Sequence, residues 1–334
     1  MDEVAVYSYA LSTDTIAAHY QAAFTNNHNY DTQILASRPV GYWNLDEPSY
    51  AVPLGKSLPA AFNLGSLSSL ANGVYEPGAI PGVAGVPGAG FGPTNLACAF
   101  NDSSCIDVPG SSLQFTGPLS LIAWVKSPPG SDLTQSVASL GTNACRLTLD
   151  PAGYPHFSDG MQSFGDLIAA IQVNDNQWHQ LAGIFDGANE ESLYVDGLLA
   201  ADSTGATAAP LATGEGFWIG GDPVPGTFQF FNGVIDEVAV FTNALTATQL
   251  LWLYSTASHA LVLSAPKYSQ SSKSVDLTWS TVPGLNFQLL EATNLDQKNW
   301  TVLSTNLTPT NSAITISLPS GSAAQRFYRI LMSP

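Results

Sequence analysis

Short apolar segments separated by turn residues constrain the fold of this chain more than any other feature of its sequence. They follow one another from residue 98 to residue 241, and helical periodicity appears only after Leu245. This spacing is typical of an antiparallel all-β sandwich or barrel. The predicted strands are Cys98–Phe100, Cys105–Val108, Leu119–Lys126, Ser136–Leu140, Cys145–Leu149, Ile168–Val173, Trp178–Phe185, Ser192–Val195, Gly216–Gly220 and Gly233–Phe241.

A second group of strands follows a boundary near residues 258–260. About six alternating segments fill the rest of the sequence, with Trp279 in the second of them and Phe327 and Tyr328 near the end. This is the size and pattern of a small immunoglobulin-like or fibronectin type III-like sandwich. We therefore expect one domain at residues 30–258 and another at residues 260–334.

The phrase that opens the sequence returns almost unchanged near the end of the first domain. Asp2–Tyr20 aligns without a gap over Asp236–Tyr254, and valines alternate with other residues in both copies, as at Val4 and Val6. Alternation predicts a half-buried strand, and a hydroxyl residue then caps a predicted helix. We interpret residues 1–28 as the closing strand and helix of a preceding or neighbouring domain of the same kind.

Two explanations account for such an isolated closing strand. The first, which we favour, is that the sequence is a piece of a longer tandem array. The second is that the strand, with Asp2, Val4 and Val6, pairs with an exposed sheet edge of another copy and builds a head-to-tail fibre by β-strand addition.

Composition limits the partners. The chain has 26 acidic and 9 basic residues, a net charge of -17, which disfavours nucleic acids and favours divalent cations. Only 10% of its residues are charged, as is common on secreted and cell-surface proteins. No apolar run is long enough for membrane insertion. These properties favour an extracellular or cell-surface location.

Six phrases of the sequence, in this order, resemble the concanavalin A-like laminin G family of bacterial jelly rolls. The resemblance covers residues 30–258 and implies a jelly roll whose first and last strands pair in one sheet. The C-terminal part is similar to the fibronectin-like modules of bacterial surface proteins. The six phrases are VGYWNLDE (40–47), CAFNDSSCIDV (98–108), LSLIAWVK (119–126), QWHQLAGIFD (177–186), LYVDG (193–197) and GVIDEVAVFTNAL (233–245).

The resemblance also implies a structural calcium ion where the first and last strands meet. By that resemblance, Asp46 and Asp236 would contribute carboxylates, with Glu47 and Glu237 as neighbours. Calcium takes oxygen ligands of this kind, and adjacent strand ends can supply them. The alternative is that Asp236 caps a turn and Glu237 is solvated.

Cysteine positions predict a disulfide. Cys98 and Cys105 flank a turn at residues 101–103, and a hairpin there would bring them face to face, with Cys145 left over. A disulfide of this kind would favour an oxidising compartment.

Carbohydrate binding is the other expectation that comes with the family. Sugar sites need exposed aromatic rings and convergent polar groups, and the candidates are Trp218 and Phe228. Alternation in GFWIGG favours a core position for Trp218, whereas the position of Phe228 stays open.

No catalytic motif is evident. The E-x-D-x-x-E strand that some glycoside hydrolases of this fold carry is missing, and His179 falls in a strand where a packed structural histidine is expected. We predict a non-catalytic extracellular protein with a structural or adhesive role, such as a subunit of a surface fibre or tandem array. The alternative is a carbohydrate-binding accessory module of a larger secreted enzyme.

Overall fold

A computed structural model describes residues 4–7, 30–49, 59–109, 113, 117–141, 145–158, 166–204, 216–222, 229–258, 261–294, 300–320 and 325–334. The chain forms two compact units. The first, called the sandwich unit here, comprises Tyr30–Pro87 and Phe91–Tyr254. The second, the C-terminal unit, comprises Met1–Asn29, Gly88–Gly90 and Ser255–Pro334.

The sandwich unit contains most of the strands. Its helices are α1 (Tyr30–Ala36) and α2 (Ala247–Ser258), the latter continuing into the C-terminal unit, and a short 3₁₀ turn lies at Ser68–Ala71. Its strands are β2 (Gly41–Trp43), β3 (Ala60–Ala61), β4 (Gly73–Tyr75), β5 (Ile80–Ala84), β6 (Leu96–Asn101), β7 (Ile106–Val108), β8 (Leu119–Lys126), β9 (Gln135–Leu140), β10 (Arg146–Leu149), β11 (Pro155–Ser158), β12 (Leu167–Ile168), β13 (His179–Phe185), β14 (Glu190–Val195), β15 (Leu198–Thr204), β16 (Phe217–Ile219), β17 (Gly221–Asp222), β18 (Gln229–Phe230) and β19 (Asn232–Phe241).

Two eight-stranded antiparallel sheets are stacked in this unit, which confirms the predicted all-β sandwich. The first, called the β19 sheet, has the order β15-β14-β13-β8-β19-β6-β5, with β2 also paired to β19. The second, the β16 sheet, has the order β12-β11-β10-β9-β16-β7-β4-β3. A small hairpin joins β17 and β18.

The apolar phrase LSLIAWVK forms β8, the centre of the β19 sheet. Every residue of β8 except the last is buried, because both faces of the sheet are covered. The sandwich core lies on one face, where rings and branched side chains from both sheets meet; Trp43 packs on Phe217 with 5.1 Å between ring centroids. The strand therefore reads as a continuous apolar run without alternation.

The first and last strands of the sandwich unit pair, as expected. β19 lies along β8 on one side, and on the other side it pairs first with β6 and then with β2, where Val238 is opposite Trp43. At the change of partner the register with β8 shifts between Asp236 and Ala239, and Glu237 has a φ of 54°. This is a β-bulge, which re-aims side chains at the point where it interrupts the ladder.

An aromatic layer covers part of the outer face of the β19 sheet. The ring of Trp124 stacks on Tyr254 at 5.6 Å between centroids, and Tyr30 packs on Phe91 at 4.7 Å. Thr246 caps α2, because its hydroxyl accepts the N–H of Gln249 at 3.2 Å while the Gln249 side chain accepts the Thr246 N–H. No helix in the described part of the chain is long and apolar enough to cross a membrane.

The C-terminal unit contains seven described strands in two sheets. They are β1 (Val4–Tyr7), β20 (Lys267–Ser269), β21 (Ser274–Ser280), β22 (Asn286–Ala292), β23 (Thr301–Leu307), β24 (Ala313–Pro319) and β25 (Gln325–Ser333). One sheet has the order β1-β25-β22-β23, and the other has the order β20-β21-β24. Trp279 and Phe327 are buried in this unit.

The opening segment has a different partner from the one expected. Its strand, Val4–Tyr7, pairs antiparallel with β25 of the C-terminal unit of its own chain. Asp2 lies outside the described residues, as do residues 8–29. The sequence motif specifies a strand, but backbone pairing depends on which edge is open and not on the side chains alone.

The predicted disulfide is wrong. None of Cys98, Cys105 and Cys145 forms a disulfide, and all three are buried. The turn between Cys98 and Cys105 joins β6 of the β19 sheet to β7 of the β16 sheet, so it crosses the sandwich and makes no hairpin. Burial raises the pKa of the Cys105 thiol to about 12, with nearby Asp107 adding to the shift, which keeps this sulfur protonated at neutral pH.

Candidate functional sites

The bulge in β19 places two carboxyl groups in the interior of the protein. Asp236 and Glu237 are completely buried, although a strand position next to Ile235 and Val238 would normally carry apolar side chains. Both lie where β19 exchanges β6 for β2 as its neighbour. A β-bulge changes the direction in which the side chains of a strand point. It can therefore direct these two carboxyl groups into the interior.

Asp236 is held through one of its two oxygens. Its Oδ2 accepts the Val86 N–H at 2.9 Å and the side-chain amide of Asn95 at 2.9 Å. Its Oδ1 is buried and has no hydrogen bond of normal geometry among the described residues. Gly85 is required beside it, since a Cβ at that position would lie 2.6 Å from Asp236 Oδ2.

Glu237 shares a tyrosine with a residue of helix α1. The Tyr42 hydroxyl hydrogen-bonds Glu237 Oε2 and lies 2.7 Å from Asp31 Oδ1. One hydroxyl carries one proton, so it cannot donate to two carboxylates at once. Glu237 Oε1 is buried without a hydrogen-bond partner in the described part of the chain.

Burial sets the ionisation of this cluster. It raises the pKa of Asp236 well above its usual range, and the negative charge of Asp46 adds to that shift. It raises the pKa of Glu237 in the same way, with further contributions from Asp236 and Asp31. The pKa of Asp46 is raised more mildly, first by partial burial and then by Asp31 and Glu47. Together these groups favour either a proton or a cation.

Three of the four predicted metal ligands belong to this acidic cluster. Asp46 interacts electrostatically with both Asp236 and Glu237, and its Oδ1 accepts the Leu96 N–H at 2.7 Å. Glu47 has other partners, because its oxygens accept the Phe62 N–H at 2.7 Å and the Tyr75 hydroxyl at 2.5 Å. Sequence reasoning missed Asp31, which is visible in the sequence only as an acidic residue in the first turn of α1.

The acidic cluster offers oxygen donors of the kind that calcium takes. Its donors are carboxylate oxygens, which suit this ion, and two of them are buried and unused. Within the described residues, no three acidic, histidine or cysteine side chains already converge as a metal cage. Asp236 and Glu237 therefore fit in donor type, and Asp46 and Asp31 are further carboxylates that interact with them.

The second candidate site lies on the outer face of the β16 sheet. Phe217 and Ile219 of β16 point into the core, whereas Trp218 between them is part-exposed. The expectation of a core position for Trp218 is therefore wrong. Its two neighbours in the strand, Phe217 and Ile219, face the core instead. Trp218 is opposite Asp107 of β7, so both side chains lie on this outer face. Burial raises the pKa of Asp107, and the Trp218 indole opposes that shift.

Trp218 lines a cleft of about 330 Å³ on this face. Pockets of this size receive small molecules or single sugar units of a longer ligand. Gly216 lets the indole lie flat on the backbone, since a Cβ there would be 2.9 Å from the ring. The cleft is lined by Glu76, Pro77, Ser103, Ser104, Cys105, Asp107, Trp218 and Phe230.

The cleft combines aromatic rings with hydrogen-bonding groups. Trp218 and Phe230 are both part-exposed, and the carboxylates of Glu76 and Asp107 lie at its margin. Phe228, the other predicted ligand-binding residue, lies outside the described residues. Phe230 was missed, although the sequence FQFF signals an aromatic cluster in this region.

The two histidines in the described part of the chain, His156 and His179, lie beside carboxylates. His179 Nδ1 lies 2.8 Å from Asp196, and Nε2 lies 3.2 Å from Asp175. The hydrogen bond to Asp196 raises the pKa of His179, and burial partly opposes the shift. The side chain is therefore engaged at both nitrogens, which agrees with the expected packed and structural histidine.

Comparison with protein families identifies the fold class of the sandwich unit. Residues 100–251 match the family model described as the concanavalin A-like lectin/glucanases superfamily. The chain therefore carries a concanavalin A-like, laminin G-type jelly-roll domain in this region. Comparison with curated proteins gave no match.

Solved structures resemble the chain at low sequence identity. Domain 4 of AbnA, a GH43 extracellular arabinanase from Geobacillus stearothermophilus in complex with arabinotriose, is 20% identical, with a TM-score of 0.47, over 65% of this chain and 98% of that one. A Trypanosoma rangeli sialidase mutant displaying trans-sialidase activity is 15% identical, with a TM-score of 0.46, over 66% of this chain and 33% of that one. The binding domain of Paraclostridial Mosquitocidal Protein 1 is 12% identical, with a TM-score of 0.46, over 71% and 64%.

Proposed function

We propose that the chain is a non-catalytic carbohydrate-binding module of a secreted protein. The observation that carries this proposal is the part-exposed indole of Trp218, which lies opposite Asp107 in an open cleft. A sugar ring presents an apolar face that packs on an aromatic ring, and its hydroxyls donate to carboxylates. The cleft offers both groups side by side.

The charge of the cleft narrows the ligand class. Glu76 and Asp107 are acidic, and the whole chain carries a net charge of -17. An anionic polysaccharide would be repelled, whereas a neutral one has hydroxyls for both carboxylates. We therefore expect neutral polysaccharides to bind and uronate polymers not to bind.

The test is calorimetric titration with soluble arabinan, xylan and β-glucan, with alginate as the anionic probe. Trp218→Ala removes the stacking surface and should weaken binding of the neutral ligand by about 10- to 100-fold, as burial of a large apolar side chain is worth roughly 1.5–3 kcal/mol.

The matched control is Trp300→Ala, which removes another part-exposed tryptophan, this one in the C-terminal unit. It should bind as the unmodified protein does. Equal affinity of the Trp218→Ala variant, or affinity for none of the neutral polymers, would contradict the proposal.

We further propose a structural calcium ion at Asp236 and Glu237. Its positive charge would satisfy the two unused carboxylate oxygens that the bulge buries. Asp46 and Asp31 would add negative charge around it.

A second candidate function is a structural or adhesive role in a surface fibre. The observation in its favour is that Val4–Tyr7 lies on the edge of a sheet, where strands of separate molecules can also join. Regular end-to-end assemblies in electron micrographs would support it, and a strictly monomeric protein at all concentrations would contradict it.

A further inference from the structure

Helix α1 is the first element of the sandwich unit in chain order, and one of its sides reaches the interior of that unit. Tyr30 and Ile34 are both completely buried. The Tyr30 hydroxyl accepts the indole N–H of Trp124 at 3.0 Å and the side-chain amide of Gln180 at 3.2 Å. Because residues four apart share one side of a helix, α1 packs on the β19 sheet through this side.

Asp31 is the acidic residue in the first turn of α1, and its side chain is part-exposed. Its Oδ1 lies 2.7 Å from the hydroxyl of Tyr42, which also hydrogen-bonds Glu237 Oε2. Asp31 interacts electrostatically with Asp46 as well as with Glu237. Since α1 is not a strand, this carboxylate reaches the acidic cluster from outside both sheets.

The acidic cluster, made up of Asp31, Asp46, Asp236 and Glu237, has no basic side chain paired with it. None of the ion pairs formed within the described part of the chain includes any of these four residues. The Tyr42 hydroxyl has one proton, so it can donate to Asp31 or to Glu237 but not to both. Oδ1 of Asp236 and Oε1 of Glu237 are completely buried and unpartnered among the described residues. Carboxylates in such surroundings are costly without a cation or a proton.

We propose that Asp31 belongs to the calcium site of Asp236 and Glu237, and that the bound ion holds α1 against the β19 sheet. Calcium takes about six to eight oxygen ligands, so two adjacent residues of one strand leave room for a carboxylate from another element. The inference rests on the calcium ion proposed above. It goes further, because it makes the order of a helix depend on that ion.

The same contact is weaker when the ion is absent. Asp31 and Glu237 are then two acidic groups that share one proton donor, and like charges disfavour each other. With the ion, both carboxylates are attracted to the same positive charge. α1 has only seven residues, and a helix of that length is unstable in water without packing. Its local opening should therefore respond to the loss of a single contact with the sheet.

Hydrogen exchange of the full chain, followed by mass spectrometry, tests the proposal at one fixed pH. Calcium should make the backbone amides of residues 31–36 exchange several-fold more slowly than they do in chelator. The β11–β12 hairpin belongs to the other sheet and serves as the internal reference. Its exchange should be the same in both conditions.

Calorimetric titration with calcium chloride measures the contribution of Asp31. Asp31→Asn keeps an oxygen that can accept the Tyr42 hydroxyl and removes the negative charge. We expect it to lower the calcium affinity by about 10- to 100-fold and to abolish the calcium-dependent slowing of exchange in α1. The matched control is Thr32→Ala, which removes an exposed side chain without a charge from the same turn. It should keep both the affinity and the slowing.

Three outcomes would overturn the inference and leave the calcium ion of Asp236 and Glu237 in place. In the first, Asp31→Asn binds calcium as tightly as the unmodified chain. In the second, Thr32→Ala loses as much affinity as Asp31→Asn. In the third, the unmodified chain binds calcium without any change of exchange in α1, a measurement that needs no variant to fold.

An unmodified chain that shows no heat of calcium binding and no change in Tm would overturn the ion and the inference together. None of these outcomes changes the expected polysaccharide titration.

Discussion

The two outer faces of the sandwich unit differ in the solvent exposure of their carboxyl groups. On the β19 sheet, Asp236 and Glu237 are completely buried and each has one unused oxygen. On the β16 sheet, Asp107 is exposed and lies opposite Trp218 at the edge of an open cleft. The carboxyl groups of the first face are therefore closed off from solvent, whereas that of the second is open to it.

The difference arises from what lies over each sheet. Tyr30 and Phe91 pack on each other over the β19 sheet, and Tyr30 interacts electrostatically with both Glu237 and Asp236, which are completely buried. Buried charges without partners are costly, so this face needs a cation or protons. Exposed carboxylates are hydrated and remain available for a sugar hydroxyl.

The largest expected effect is that of calcium removal. A site saturated at about 100 times its Kd stabilises the fold by about 2.7 kcal/mol, so a chelator should lower the Tm by roughly 5–10 °C. The double variant Asp236→Asn/Glu237→Gln should lose this response in differential scanning calorimetry.

Glu47→Gln is the matched control for that experiment. Its oxygens are engaged by Phe62 and Tyr75, so the variant should keep the response to calcium. An unmodified protein whose Tm is the same with and without chelator would contradict a structural ion.

The next effect is the pH dependence of the calcium-free protein. Burial raises the folded-state pKa of both Asp236 and Glu237 above the unfolded values of about 4. Their stabilising contribution is therefore fully present below about pH 4 and is lost as the pH rises through the folded-state values. We expect a loss of about 1–3 kcal/mol in the free energy of unfolding, measured by urea titration in chelator.

The double variant Asp236→Asn/Glu237→Gln supplies the comparison. It has no proton to lose at these positions, so its stability should fall less over the same pH range. The same decline in the variant and in the unmodified protein would show that other groups cause it.

The smallest effect concerns Asp107. Asp107→Asn neutralises an exposed carboxylate, so it should change the free energy of unfolding by no more than about 0.5 kcal/mol. Affinity for a neutral polysaccharide should fall by about 2- to 10-fold, which corresponds to one hydrogen bond of roughly 0.5–1.5 kcal/mol. A large loss of stability with unchanged polysaccharide affinity would contradict this prediction. It would show that Asp107 stabilises the fold and does not contact the ligand.

Sequence patterns were sufficient to predict the strands but not the way in which distant strands pair. Alternation and turn residues predicted β8 and β19, and the Asp196–Gly197 turn joins β14 to β15 with a positive φ at both residues. The pairing of β2 with β19 came from a family resemblance, since no local pattern specifies which distant strands meet. The same limit explains the Cys98–Cys105 error, because a turn within a hairpin and a turn between sheets have similar residues.

The sites were predicted less completely than the fold. Asp46, Asp236 and Glu237 were named because the resemblance brings the first and last strands together, and the structure places the three in one acidic cluster. Their role as metal ligands stays a prediction. Asp31 was missed, because its role depends on where α1 lies over the sheet. The phase of Trp218 was also wrong, since a three-residue strand between glycines does not show which of its faces is the inner one.

The central position of β19 has a consequence for biosynthesis. β19 lies between β8 on one side and β6 and β2 on the other, so the sheet cannot close until residue 241 has left the ribosome. Until then the gap beside β8 is exposed, while Asp2–Val6, identical in sequence to Asp236–Val240, has already been made. A nascent chain therefore carries an early competitor for its own last strand, and any mispairing must be undone before the native sheet can form.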